Sequence, residues 1–430
     1  MNSVLLLFFA VFVVLLLLGT PVYLSLLASS LIYFFAHPEI SSMMIMQKFY
    51  GSLDNFVLIA IPLFMFSGNI MNTGGITKKI FNVAKAIVGH RKGGLAYVNV
   101  LASFVFAGMS GSALADVGGL GKIEMEAMND EGYDESLTIG ITAASATLGP
   151  IVPPSIPMVI YGAAASVSVG ALFATGIVPG IVMAIFLCFK VHSIAVKTNS
   201  PTSEKVTFRG LLVAIKDSFL ALMMPVLILG CIWNGKITPT EAAALAIMYA
   251  LLIIAFFYKG MSFKDMMDAA KDAVTSMAPT MLIVIASVVF GWVLQFERMD
   301  QVLLNLVLSV SRNKYVVLLM INFMLILFGM FMDATPVILL LVPMLMPLTR
   351  EVGINPVHMG IIVVLNLMIG LLTPPIGGTL NILSGVTKKS FDKIVKITVP
   401  WLVPLVLCLL VVTYCEPLTL LLPRLLGLVD

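Results

Sequence analysis

The chain has 430 residues, 60% of them hydrophobic and 11% charged, with a net charge of +3. A soluble domain carries about 25% charged residues, and a mean hydropathy of +1.07 over the whole length is more than one buried core can absorb. These values exclude a soluble globular protein and a nucleic-acid binder, and leave an α-helical membrane protein whose apolar runs face lipid or one another.

In chain order, apolar segments of spanning length, or nearly so, fall at about 3–18, 21–36, 54–71, 136–166, 171–190, 211–231, 238–258, 276–295, 357–386 and 397–415. The first has no basic start, since the first lysine is Lys48, and a second apolar run follows Pro21 at once. It therefore reads as a retained span and not as a cleaved signal. Two further apolar pairs, about 94–127 and 315–349, are interrupted by polar or small residues and read as re-entrant helical hairpins. The stretches 76–92 and 299–314 read as short amphipathic helices at the interface. The hydrophilic stretch 191–210 separates a first half, 1–200, from a second, 201–430. Cys188, Cys231, Cys408 and Cys415 lie in or beside apolar segments without metal-ligand spacing, and read as packing residues.

A shift of 221 residues lays the chain on itself. It superposes Gly108-Met109 on Gly329-Met330, Gly132 on Gly353, Gly149 on Gly370, Pro153-Pro154 on Pro374-Pro375 and Val178-Pro179 on Val399-Pro400. Loop 190–216 carries Lys190, Lys197, Lys205, Arg209 and Lys216 against Glu204, which places it in the cytoplasm. Loop 163–172 is uncharged and external, whereas Lys388, Lys389, Lys393 and Lys396 follow the corresponding segment of the second half. Corresponding loops thus lie on opposite sides. Five crossings and one re-entrant hairpin per half give two inverted repeats with both termini external, and Lys78, Lys79, Lys85, Arg91 and Lys92 then fall inside. Arg298, Arg312 and Lys314, in an external stretch, run against this scheme. Inverted repeats with discontinuous helices mark secondary transporters.

The breaks carry the chemistry. Gly108 to Ala113 (GMSGSA) forms the tip of the first hairpin. There an interrupted helix frees carbonyls and hydroxyls that hydrocarbon does not tolerate unless they are buried or bound. A tight Gly/Ser helix crossing is the alternative. Gly149 to Ser155 (GPIVPPS) breaks the next span, and three prolines in five positions do more than kink it. Thr138, Thr142 and Ser145 share the face leading into that break, either as ligands or bonded back to their own helix. In the second half Asp333, within GMFMDAT, takes the place of Ser112, and a carboxylate in a membrane hairpin is a functional candidate by default, with a structural hydrogen-bond acceptor as the alternative. The second break, Gly370 to Pro375, is preceded by Asn366 and followed by Asn381. Oxygen donors without sulfur or imidazole suit a hard ion such as Na⁺. Asp116 either assists that ion or caps a helix. Glu241 reads as a first-turn acid, and Glu124, Glu126, Asp130, Glu131, Asp134 and Glu135 as a solvated loop. No Walker A pattern is present, so ATP is not the direct driver.

The run Ala60-Ile61-Pro62-Leu63-Phe64 with Gly68-Asn69, GMSGSALAD from Gly108, GPIVPPS from Gly149 and LLTPPIGG from Leu371 resemble the large membrane subunit of tripartite ATP-independent periplasmic (TRAP) transporters. The resemblance spans essentially the whole chain. It implies an elevator-type transporter of the bacterial inner membrane, in which a transport domain with the hairpins and broken helices slides on a scaffold. It implies as partners a separate small membrane subunit and a periplasmic substrate-binding protein that delivers an organic anion, such as a C4-dicarboxylate, a sialic acid or a sugar acid. Na⁺ is the implied coupling ion, with no other cofactor. By that analogy Ser110, Gly111 and Ser112 with Gly149, Val152 and Pro153 form one ion site, and Gly329, Asp333 and Thr335 with Gly370, Thr373 and Pro374 the other. Substrate lies between the hairpin tips. An ion-only antiporter or channel on the same repeat is the competing expectation. An intramembrane enzyme would need a Ser/Lys or paired-Asp constellation in its spans, and the sequence offers none.

Overall fold

Within a bilayer each backbone amide and carbonyl needs a partner in its own segment, so an apolar chain of this kind folds as helices. The computed structural model describes residues 3–41, 43–203, 205–258 and 262–429, and among them every regular element is helical. Glu204, counted in the charge of loop 190–216, lies outside the described residues.

The chain opens with a hairpin of α1 (Ser3–Leu17) and α2 (Val22–Ala36), then α3 (Met43–Leu53), α4 (Ala60–Thr73) and the amphipathic α5 (Ile76–Val88). The first hairpin expected from the sequence is α6 (Gly94–Ser110), α7 (Ala113–Gly118) and α8 (Leu120–Asp130). The first broken segment is α9 (Glu135–Ala146) and α10 (Ile156–Ala165). Next come α11 (Val169–Lys197), α12 (Phe208–Trp233), α13 (Pro239–Ile253), extended by a π-helical turn at Ile254–Tyr258, α14 (Phe263–Phe296) and α15 (Met299–Val310). The second hairpin is α16 (Lys314–Phe331) and α17 (Ala334–Glu351), and the second broken segment is α18 (Pro356–Gly370) and α19 (Gly378–Thr387). After α20 (Phe391–Thr398) and a 3-10 turn at Val399–Trp401, α21 (Leu402–Tyr414) and α22 (Glu416–Leu425) close the fold.

Among the described residues seven helical segments are long and apolar enough to cross a membrane. Two of them, α16 and α17, are arms of the second hairpin, so five of the ten expected crossings appear as single long helices. The difference arises because the breaks cut their segments into half-helices, α1 and α2 have only 15 residues each, and the span expected from 54 becomes helical only at Ala60. Conversely α11 runs on to Lys197, so it occupies part of the stretch read as the divide between halves. Glu241 is the first-turn acid it was expected to be, closing a capping box with Thr238.

Helix boundaries recur at the same shift of 221 residues. Ser110 and Phe331 end the first hairpin arms, Ala113 and Ala334 begin the second, and Asp130 and Glu351 end them. Gly132 and Gly353 both take the left-handed conformation, with φ of 76° and 67°. Asp134 and Asn355 both cap the following helix, and the prolyl bonds at 153–154 and 374–375 are both cis. The arms differ in one respect: Gly119 separates α7 from α8, where α17 is continuous.

The two broken segments lie antiparallel. Glu135 at the start of α9 pairs with Lys389 and Lys393, each at 2.9 Å, beyond the end of α19. At the other end Tyr161 of α10 donates to the carbonyl of Pro356, the first residue of α18, at 2.7 Å. Lys389, then Lys393, hold the Glu135 carboxyl below the usual carboxylate range. A depressed acid stabilises the fold above its ordinary pKa and loses that contribution as pH falls through the lowered value. Glu135→Gln should therefore cost about 1 kcal/mol or less at neutral pH, since the groups are partly exposed and screened. The difference in Tm from the wild type, measured in detergent, should vanish once the pH falls below the lowered pKa, and shrink in high salt.

Candidate functional site

Three prolines prevent α9 from continuing, so residues 147–154 form irregular backbone in the protein interior. Ser155 restarts the helix by accepting from the Met158 amide at 3.2 Å, while its hydroxyl donates to the carbonyl of Pro150. The hairpin tip meets this break directly. Gly111 ends α6 at a φ of 61°, its carbonyl accepts from the Ile156 amide at 3.4 Å, and a side chain there would lie 2.7 Å from the Pro154 carbonyl. Ser112 caps α7 by accepting from the Ala115 amide. Gly68 of α4 packs on the backbone of Ser110.

Asp116 sits at the centre of this junction. It is 2% exposed, its Oδ1 accepts from the Ser110 hydroxyl, and its Oδ2 has no hydrogen-bond partner. That free oxygen faces Gly149, where a methyl group would collide with it. No amide among the described residues donates to the carbonyl of Gly149 or Val152, while the Val152 side chain packs against α11 at Gly180. A buried carboxylate oxygen without a donor costs several kcal/mol, and here it lies among carbonyl and hydroxyl oxygens. The donor set fits a hard cation.

The second junction is built from backbone contact. Gly329 of α16 and Gly370 at the end of α18 touch: a Cβ on Gly370 would fall 2.6 Å from the Gly329 Cα. The Ile376 amide donates to the Met330 carbonyl at 3.3 Å, tying tip to break. Asp333 precedes α17 but makes no cap bond with its side chain; its carboxylate faces Gly378 at the start of α19. The Thr373 hydroxyl donates to the Ile369 carbonyl at 2.8 Å, and the Gly370 carbonyl accepts from the Thr373 amide at 2.9 Å. Each therefore keeps a lone pair for a further partner. Pro374 carries the cis bond.

Between the junctions lies a cavity of about 110 Å³. Gly111, Ser112 and Pro150 line it from the first half, Asp333, Thr335 and Leu371 from the second, and Met65 of α4 with Thr280 and Ile283 of α14 close it. The twelve residues that the family resemblance assigns to the ion sites thus fall at these two junctions or the cavity between them.

Several readings change. Asp116, left open as ligand or cap, belongs to the first junction; the signal was the rule that selected Asp333, a carboxylate inside a hairpin. Met65 and Thr280 join the cavity from helices with no local mark. Glu124 is no part of a solvated loop: it is 1% exposed and its Oε1 has no partner. It shares the buried face of α8 with Leu120, Gly121 and Met128, a helix that continues the hairpin arm inward. Thr138, Thr142 and Ser145 bond back to their own helix at 3.0, 2.9 and 3.3 Å. Thr142 and Ser145 also bond to Asn99, so they join α9 to α6 and do not ligate.

Residues 9–418 match the family described as tripartite ATP-independent periplasmic transporter, DctM component. The chain is 42% identical over 407 residues to the sialic acid TRAP transporter large permease protein SiaM of Vibrio cholerae, covering 95% of both chains. It is 36% identical to the C4-dicarboxylate TRAP transporter large permease protein DctM of Pseudomonas aeruginosa, covering 89% of each. With the Escherichia coli 2,3-diketo-L-gulonate TRAP transporter large permease protein YiaN it shares 33% identity, over 94% of this chain and 95% of that one. Among solved structures, the Alcanivorax borkumensis YdaH transporter has the same fold, with a TM-score of 0.62 at 13% identity over 87% of this chain and 88% of that one.

Proposed function

We infer the function from one premise: the chain belongs to the DctM component family of the tripartite ATP-independent periplasmic transporters, as a multi-pass large permease subunit. The proposed activity is Na⁺-coupled uptake of an organic anion bearing a carboxylate, of the kind named for its relatives, across a bacterial inner membrane. A periplasmic binding protein delivers the anion and a separate small membrane subunit completes the permease.

One observation carries this reading. Two junctions, each a hairpin tip against a broken helix, hold one carboxylate apiece, Asp116 and Asp333, with no cationic side chain paired to either among the described residues. In the first, Ser110, Ser112, Asp116 and the carbonyls of Gly149 and Val152 would hold Na⁺; in the second, Asp333, Thr373 and the carbonyl of Gly370. With both ions bound, the net negative charge around the central cavity is offset, and an anion can enter between the tips. The antiparallel pairing of the broken segments supports an inverted relation of the halves and a transport domain that moves as one body against α4 and α14.

The test is uptake of radiolabelled N-acetylneuraminate and succinate into proteoliposomes holding the complete system, with and without a Na⁺ gradient. Asp333→Ala should lower Na⁺-driven uptake about tenfold or more while leaving the purified protein monodisperse. Unchanged Na⁺ dependence removes Asp333 from the site. Na⁺ flux without any anion would favour the ion-only reading.

A further inference from the structure

One face of α14 is spaced like a track. Ser276, Thr280, Ile283, Ser287, Gly291 and Gln295 follow at intervals of three and four residues and so share a side of the helix. Ser276 and Thr280 line a cavity of about 420 Å³ beside the first hairpin, and Thr280 and Ile283 the one between the tips. Ser287, Gly291 and Gln295 line a third, of about 380 Å³, at the far end. This last cavity includes Ala163 and Ala164 in its wall, next to the uncharged loop 163–172, away from the basic loops.

Its chemistry is one-sided. Gln47, Lys48, Ser52, Asn55, Ser287 and Gln295 supply the polar lining, and no acidic residue does. Lys48 is its only charged group and makes no ion pair among the described residues. Ser287 is fully buried, and its hydroxyl oxygen has no hydrogen-bond partner. An unmatched ammonium, side-chain amides and an unsatisfied buried hydroxyl around a cavity of this size form a donor set for a carboxylate with hydroxyl or amide substituents. The groups stand on α3, the loop after it and α14, opposite α10 of the first broken segment and α17 of the second hairpin.

We propose that this outer vestibule is an entry site, where Lys48 and Ser287 hold the carboxylate of the incoming anion before it passes along α14 to the hairpin tips. The proposal rests on the transport reading above. Lys48 is half-buried, so its removal leaves the packing in place.

The experiment measures initial uptake of radiolabelled N-acetylneuraminate and succinate in proteoliposomes as the concentration of loaded binding protein is varied. Lys48→Gln should lower the maximal rate about tenfold with the half-saturating binding-protein concentration unchanged. Lys48→Arg should restore most of the rate, and Ser287→Ala should lower it in the same way as Lys48→Gln. A raised half-saturating concentration at unchanged maximal rate would make Lys48 a docking residue for the binding protein and overturn the proposal. So would wild-type kinetics in Lys48→Gln. Failure of the wild-type system to take up the anion that its binding protein holds would instead remove the transport reading on which the vestibule rests.

Discussion

Asp116→Asn is expected to weaken the response of this protein to Na⁺ without unfolding it, leaving only the part that the second junction carries. The wild-type carboxylate is buried, with one oxygen bonded to Ser110 and the other facing Gly149 without a donor. Hydrogen bonds and ligand contacts to a charged group contribute about 1.5–3 kcal/mol each, so its loss should weaken Na⁺ activation of uptake by about 10- to 100-fold. The folded protein responds in the opposite sense. Amidation removes a desolvated charge, so the variant in Na⁺-free buffer should be at least as stable as the wild type. The two expectations meet in a thermal-shift titration: Na⁺ raises the wild-type Tm, as a ligand bound only to the folded state must, and raises the Tm of Asp116→Asn by less, through the second junction alone. A full Na⁺-dependent shift in the variant would take Asp116 out of the ion site.

Gly370→Ala should have the largest effect of any single methyl group in the chain's second half. Its Cβ would stand 2.6 Å from both the Cα and the carbonyl carbon of Gly329, and backbone cannot rotate aside as a side-chain tip can. The hairpin tip must shift, with an expected loss of about 1–3 kcal/mol and of essentially all uptake, because Asp333 lies four residues beyond Gly329 on the displaced tip. Gly230→Ala, in α12 with open space around it, is the control. It should match or slightly exceed wild-type stability through helix propensity alone. Equal uptake in the two variants would show that the glycine contact does not hold the second junction.

The parts of this architecture visible in the sequence are those written locally. Glycine and proline constrain their own backbone, so both hairpin tips, both breaks and their common register could be read directly. The sites needed more. Asp116 and Gly149 meet only because α7 folds back beneath the break, and nothing within either segment announces the other. Met65 and Thr280 reach the cavity from ordinary apolar helices. The start of α14 at Phe263, thirteen residues before its expected beginning at 276, follows from the capping box of Ser262 with Asp265 and a charged first stretch that remains helical outside the apolar run. Hydropathy reports where a helix is greasy, not where it begins. Glu124 failed for the reverse reason: its segment is rich in acids, but it lies on the buried face of α8, the helix that packs against α6 and α9.

The two contacts that join the broken segments at opposite ends also set an order of events during synthesis. Tyr161 waits for a carbonyl 195 residues further along the chain, and Glu135 for lysines beyond that. At about 5–20 residues per second of translation, the hydroxyl of Tyr161 has no native acceptor for roughly 10–40 seconds after it leaves the ribosome. The first half therefore enters the membrane as an unfinished surface, and the nascent second half is the element that completes it.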